Sequence, residues 1–267
     1  MGKLKNKLVA VPYYIWAVVF IVVPLLMIAY SAFTNEDGAF TFQNILQIGI
    51  YGNVLLRSLL YALIATVCCL LLGYLLAYCM AQQSERGKNI LMILLMLPMW
   101  INFVLRTQAM QDILDLIQSW MEAAGISLRI SNTGFAIVLG LIYNYLPFMV
   151  LPIFTSLEKL DKRVIEAAED LGANRMQVFR KVILPLTMPG IGSGVIMVFV
   201  PTISTFVISE KLGGAKYNLI GNVIQEQFLT VYNPNVGAAI SLVMLLIMLF
   251  ILIIFSFLDD ETKEGLL

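Results

Sequence analysis

The chain has 267 residues, 60% of them hydrophobic and 13% charged, with 17 basic and 17 acidic side chains and no histidine. A soluble domain carries about 25% charged residues, so half that share cannot cover a water-facing surface, and the neutral balance gives no field to gather nucleic acid. The lack of histidine removes the usual proton shuttle and the commonest metal ligand, and Cys68, Cys69 and Cys79 lie in one apolar run with no metal or disulfide spacing.

The basic start, Met1 to Lys7, precedes an apolar run from Val11 to Phe33. That run is too long for the core of a signal peptide and no A-x-A-like cleavage site follows, so it reads as an uncleaved first span. Further spans are expected at 55–80, 90–107, 134–157, 189–209 and 236–258. Each approaches the ~20 residues that cross ~30 Å of hydrocarbon as a helix. Strands of a membrane barrel would alternate polar and apolar residues, which these runs do not. The fold class is therefore an all-α polytopic membrane protein with about six transmembrane helices. Twelve of the 17 basic residues fall on one side of these spans, Arg86, Lys88, Lys162 and Arg175 among them, and five on the other: Arg57, Arg106, Arg129, Lys211 and Lys216. The richer side is assigned to the cytoplasm, with both termini there. The segments 34–54, 108–133 and 210–235 then form external loops. Gly190, Gly192 and Gly194 open the fifth span as a close-packing face.

The longest cytoplasmic segment, 158–188, is patterned. Asp161 suits a helix N-cap, and Val164, Ile165, Ala168 and Leu171 follow at helical spacing on one face. Gly172 stands where a left-handed C-terminal cap belongs. Asn174 caps a second short helix with Val178, Phe179, Val182 and Ile183 on its apolar face, and Pro185 is expected to end it. The methyl side chains of Ala167 and Ala168 allow close approach to another protein, ringed by Glu166, Glu169, Asp170 and Arg175. An interfacial helix on lipid headgroups has the same periodicity. A DNA-reading helix-turn-helix is disfavoured by the alternating charges.

The run Glu166-Ala167-Ala168, three residues, Gly172, nine residues, Val182-Ile183-Leu184-Pro185 resembles the EAA loop of binding-protein-dependent ABC importer permeases. Val182 stands where that pattern usually has Ile. The position between the fourth and fifth of six spans agrees. The resemblance implies a type I ABC importer permease fold. It also implies that Glu166, Ala167, Ala168, Asp170, Gly172, Arg175 and Pro185 serve coupling to an ATPase. The expected partners are a second homologous permease subunit, two ATPase subunits, an external binding protein and membrane lipid, with no nucleic acid. The chain has no G-x-x-x-x-G-K-[ST] loop, so it is expected to be no enzyme and to hold no cofactor; ATP and Mg belong to the partner ATPases. The implied location is the plasma (inner) membrane of a prokaryote.

The stretches Leu146-Pro-Phe-Met-Val, Ser156-Leu-Glu-Lys-Leu-Asp-Lys162, Leu184-Pro-Leu-Thr-Met-Pro-Gly190 and Leu212-Gly-Gly-Ala-Lys are similar to permeases of spermidine/putrescine importers, from about residue 55 onward. The expected division is a first span and external loop at 1–54, a permease core at 55–258 containing the coupling loop, and a short tail at 259–267. A polyamine needs carboxylates or carbonyls for its ammonium groups and aromatic faces for cation–π contact and for its methylenes. Glu210, Asp112, Trp100 and Tyr143 are the pathway candidates; Tyr145, two residues from Tyr143, points to another face. Asp112 reads equally as a solvated loop residue, Trp100 as an interface anchor, and Glu210 as a partner of Lys211 or Lys216. Permeases for iron, sulfate or sugar remain alternatives within the family. From other classes, a secondary transporter is disfavoured by span interiors without Asp, Glu or His, and a membrane scaffold remains open.

Overall fold

The computed structural model describes residues 11–214 and 216–264, with side chains to residue 254. Lys3, Lys5 and Lys7 and the end of the expected tail lie outside the described residues. Backbone groups without partners are costly in lipid, so such a chain folds as helices. Among the described residues the extended pairing is a single bridge, Thr34 with Phe40. Five helical stretches have the length and apolarity of spans: Val11–Ala32 (α1), Gln43–Ala81, Gly134–Glu158 (α5), Arg175–Ser204 (α7) and Pro234–Ile254. The second contains the long helix α2, Gly52–Ala81, and the last begins α10, Pro234–Glu264. Between α2 and α5 lies a bent pair, Glu85–Trp100 and Phe103–Ala123, at 95°. Its parts are α3, Glu85–Met96, a tighter 3-10 turn, Leu97–Trp100, and α4, Phe103–Ala123. Shorter helices are α6, Lys162–Asp170, α8, Val207–Leu212, and α9, Ile220–Leu229.

Three expectations are corrected. The third span is not one straight helix over 90–107: Pro98, which lacks an N–H, sits in the 3-10 turn, and Asn102 starts a new helix by accepting from the amides of Val104 and Leu105 at 2.9 and 3.3 Å. Much of the expected external loop 108–133 is therefore α4. Pro185 does not end the second loop helix, which runs on into the fifth span. The turn before it, Phe179–Ile183, is a π-turn in which the amide of Leu184 bonds the carbonyl of Phe179. That wider turn moves the carbonyl the proline ring would strike in a regular α-helix. The fifth span ends early, at Ser204, where Thr205 is extended.

The described residues form two compact units, one joining the chain through Asn53 to Val223–Leu249, the other holding Val54–Asn222 and the residues from Phe250. In the first, Ala32 packs with Ala238 and Ala239, flanked by Ile28, Ile45 and Leu242. Buried Asn44 donates to the carbonyls of Ala32 and Thr34 at 3.2 and 2.8 Å, closing the end of α1. Gln227 donates to the Tyr51 hydroxyl at 3.1 Å.

The second unit is built around α5, whose Met149, Val150, Ile153 and Phe154 are fully or almost fully buried. Lipid tails are as apolar as leucine, so helix association there depends on close packing of small residues. Met149 lies between two of them. A Cβ on Gly73 of α2 would come within 2.9 Å of its Cγ, and one on Gly194 of α7 within 2.7 Å of its sulfur. One turn earlier in α7, a Cβ on Gly190 would lie 2.6 Å from the Pro152 carbonyl oxygen. Gly192 does not share this face, since nothing lies within 4 Å of its Cβ position; two residues turn a helix by about 200°. Gly190→Val is accordingly expected to lower stability by about 1–3 kcal/mol, read as a lower melting temperature of purified protein. Gly192→Val is expected to leave it nearly unchanged.

Candidate functional site

Two places in the second unit gather functional side chains. The first is the segment between α5 and α7. Asp161 caps α6: its Oδ1 accepts from the amide of Arg163 at 3.0 Å, and its Oδ2 lies 2.7 Å from the Arg163 guanidinium. The side-chain bond from Arg163, then the backbone one, holds the Asp161 carboxyl below its ordinary range. Gly172 has φ +86°, a conformation a side chain disfavours. Its amide donates to the Glu169 carbonyl at 2.8 Å, and that of Ala173 to the Ala168 carbonyl at 3.1 Å. Asn174 and Gln177 then exchange bonds of 3.0 and 2.8 Å as a capping box opening α7.

These caps divide α6 into two faces. Ile165 and Ala168 pack inward beside Leu157, Val178 and Ile183. Val164 and Leu171, expected on that same face, point away from it: Leu171 is 89% exposed, and Val164 is exposed beside it. With exposed Ala167 and Met176 they make an apolar surface among Glu166, Asp170 and Arg175, which are also exposed. Pro185 is half-buried, inside α7. Beneath the loop opens a cleft of about 830 Å³ lined in part by Gln83, Lys88, Glu158, Glu166, Glu169 and Arg175. Lys88 bridges Glu85 at 2.9 Å and Glu158 at 3.6 Å, tying the start of α3 to the end of α5.

The second place is the bend after α3. Arg106, read from the sequence as an external surface base, is 8% exposed. Its Nε donates to Asn144 of α5 at 2.9 Å and its terminal nitrogen to the Pro98 carbonyl at 2.8 Å. Asn144 is in turn held by donating to the Gly140 carbonyl at 2.8 Å. The guanidinium carbon stands 5.8 and 5.7 Å from the ring centres of Phe103 and Tyr143. One side chain thus joins the 3-10 turn, α4 and α5. Proline in an apolar run, an N-capping Asn102 and an arginine directly after Leu105 were the signals for this corner in the sequence.

The pathway candidates are dispersed. Asp112, exposed on α4, accepts from Gln108 at 3.0 Å. Trp100 is 81% exposed at the bend. Tyr143 turns a ring face to Arg106. Glu210 stands on α8, beyond the fifth span, half-exposed and 3.9 Å from Lys211. No hydrogen bond or ion pair joins these four among the described residues. Asp115, by contrast, is fixed by Gln111 at 3.1 Å and by the Ser131 hydroxyl, closing the end of α4 against the following loop.

A family model described as "Binding-protein-dependent transport system inner membrane component" matches residues 69–263. The spermidine/putrescine transport system permease protein PotB of Salmonella typhimurium is 41% identical over 254 residues, 90% of this chain and 88% of that protein. The protein of that name in Escherichia coli is 39% identical, over 90% of this chain and 92% of its own length. The crystal structure of a bacterial ABC transporter involved in import of the acidic polysaccharide alginate contains a chain with a similar fold. Its TM-score is 0.73 at 14% identity, covering 97% of this chain and 96% of that one. A chain of the inward-facing MetNI methionine ABC transporter aligns with TM-score 0.58 at 17% identity, over 83% of this chain and 98% of its own.

Arg106→Leu is expected to leave the buried Asn144 oxygen without its donor, at about 1–3 kcal/mol, and to free the part-buried Pro98 carbonyl. Spin labels at Asn89 and Ser119, placed on either side of the bend, should then show a broader distance distribution than in the parent protein.

Proposed function

Because the chain belongs to the family of binding-protein-dependent transport system inner membrane components, we propose that it is the permease subunit of an ATP-driven polyamine importer. It is a multi-pass plasma-membrane protein, a transport component rather than an enzyme. The observation that carries the coupling role is the apolar surface of Val164, Ala167, Leu171 and Met176 beside the left-handed turn at Gly172. A surface of that kind, ringed by charge, fits a socket in a folded partner.

In this reading the partner is one of two ATPase subunits, which bind ATP and Mg. Closure of the ATPases carries α6 with them. The caps at Asp161 and Asn174 keep α6 and the start of α7 as rigid pieces. Because α7 continues through the π-turn into the fifth span, and its glycines lock it to α5, a displacement of α6 tilts the spans instead of dissipating in a loop. Glu166, Ala167, Asp170, Gly172 and Arg175 sit at the contact, Ala168 supports it from inside, and Pro185 marks where the lever enters the span. A second homologous permease completes the pathway, and an external binding protein delivers the substrate.

The polyamine assignment rests on the similarity to the spermidine/putrescine permeases over 90% of the chain. Glu210 is the pathway carboxylate favoured here, since its neighbour Lys211 at 3.9 Å and half-exposed is a weak competitor for a diammonium chain. Asp112 lines the external approach, while the exposure of Trp100 fits its reading as an interface anchor. Tyr143 contributes only once its ring face is released by Arg106.

Two experiments test this reading. ATP hydrolysis by the reconstituted complex should rise when its binding protein is added with spermidine or putrescine, and not with iron or a sugar. Stimulation by iron or sugar alone would reassign the substrate while leaving the permease role intact. Gly172→Val should reach normal membrane abundance, because nothing lies within 4 Å of the added Cβ. Uptake should nevertheless fall about tenfold, the factor given by about 1.4 kcal/mol lost from the docked geometry. Normal uptake in that variant would argue against the lever.

A further inference from the structure

The helix α4 carries three stripes that no ordinary span shows. Thr107, Gln111, Leu114, Gln118 and Met121, spaced three and four residues apart, face the protein interior or its edge. Leu105, Ala109, Ile113, Leu116 and Trp120, at the same spacing, are exposed. The large ones are 66, 57, 50 and 68% exposed for Leu105, Ile113, Leu116 and Trp120. A third stripe, Gln108, Asp112, Asp115, Ser119 and Glu122, is polar and, apart from half-buried Gln108, exposed. A helix with two acidic turns cannot pass through hydrocarbon with that stripe uncovered. A helix with four large exposed apolar side chains in a row is equally unsuited to water.

The geometry around it settles where both stripes are satisfied. The segment Glu85–Trp100 is apolar on all sides from Ile90 onward. Its 12 α-helical and four 3-10 residues advance about 26 Å, of which the apolar part from Ile90 is about 18 Å, so its polar first turn belongs at the headgroups of a hydrocarbon core of ~30 Å. Its first turn lines the cleft under α6, which directs its other end, at Trp100, toward the opposite face of the membrane. There the chain turns by 95°. A helix leaving a span at a right angle, at the depth of the span's end, runs along the membrane plane.

We propose that α4 lies in the membrane–water boundary on the face opposite α6, its Leu105–Ile113–Leu116–Trp120 stripe seated in the lipid of that leaflet and its acidic stripe in water. Two further observations support lipid as the occupant. The exposed apolar side chains Ile90, Ile93, Leu94 and Leu97 lead through Ile101 to Leu105, with the exposed cap Asn102 between the last two, so the apolar stripe of α4 prolongs the apolar surface of the preceding segment. Trp100 and Trp120, at the two ends of the bend-plus-helix, are both strongly exposed. Only a helix lying flat brings both to the same depth, the headgroup level that tryptophan favours. Arg106 then acquires a role beyond packing: by holding the Pro98 turn to Asn144 it sets the angle at which α4 meets the bilayer.

The test uses the assembled importer in bilayers, with Cys68, Cys69 and Cys79 and the partners' cysteines replaced. A single nitroxide is attached in turn at Ile113→Cys, Leu116→Cys and Ser119→Cys. Lipid seating predicts high accessibility to oxygen and low accessibility to a water-soluble nickel chelate at 113 and 116, with the order reversed at 119. Strong relaxation by the chelate at both 113 and 116 would place the stripe in water, and exclusion of both agents there would place it under another subunit. Either result overturns the proposal. Positions 113 and 116 report on the same stripe, so a variant that fails to assemble does not remove the test. The outcome is independent of which substrate the complex carries, so failure here would leave the permease assignment untouched.

Discussion

Close approach of α5 and α7 is the constraint on which the second compact unit depends. In water, helices are pressed together by the removal of apolar surface from solvent. In lipid that force is absent, and what remains is dispersion between surfaces that fit. Met149 fills the space left by Gly73 on one side and Gly194 on the other, and Gly190 lets the α7 backbone come within reach of the Pro152 carbonyl. A side chain at any of these positions pushes two helices apart and forfeits contacts along their length. The same closeness makes the pair stiff, as the proposed lever requires.

Polar groups in the spans follow a complementary rule. Thr66, Thr187 and Thr202 return their hydroxyls to carbonyls one turn back, at 2.7, 3.0 and 2.5 Å, and Thr187 also meets the Tyr74 hydroxyl of α2 at 3.0 Å. Arg106 needs more, because a guanidinium cannot be satisfied within its own helix. It therefore gathers partners from three segments, and it ties together the break that Pro98 and the Asn102 cap make between α3 and α4. A buried positive charge beside Tyr143 also places repulsion near any route a cationic substrate takes past that ring, so such a route runs elsewhere while Arg106 holds its present contacts.

The composition and the long apolar runs made the membrane class and most spans readable, because the thickness of a bilayer sets both the length and the apolarity of a span. The loop was readable as well: Asp161, Gly172 and Asn174 are residues whose local chemistry dictates caps and a turn, whatever surrounds them. Less legible was what depended on a partner elsewhere in the chain. Val164, Ile165, Ala168 and Leu171 fit one helical face by spacing, yet only the packing of Ile165 and Ala168 against α5 and α7 shows that the other two point outward. Pro185 looked like an end, since no rule of local sequence announces a π-turn able to absorb it.

The sequence by itself thus determined that this is a membrane-spanning permease with a glycine-hinged helix pair between its fourth and fifth spans, since bilayer thickness, turn chemistry and motif spacing act over short stretches. Tertiary structure alone decided that the chain turns by 95° between α3 and α4, that Arg106 is buried, and which glycines matter. Those outcomes turn on residues far apart in the chain, such as Arg106 with Asn144 and Gly194 with Met149, meeting at distances of a few ångströms, and separation in sequence carries no record of such meetings.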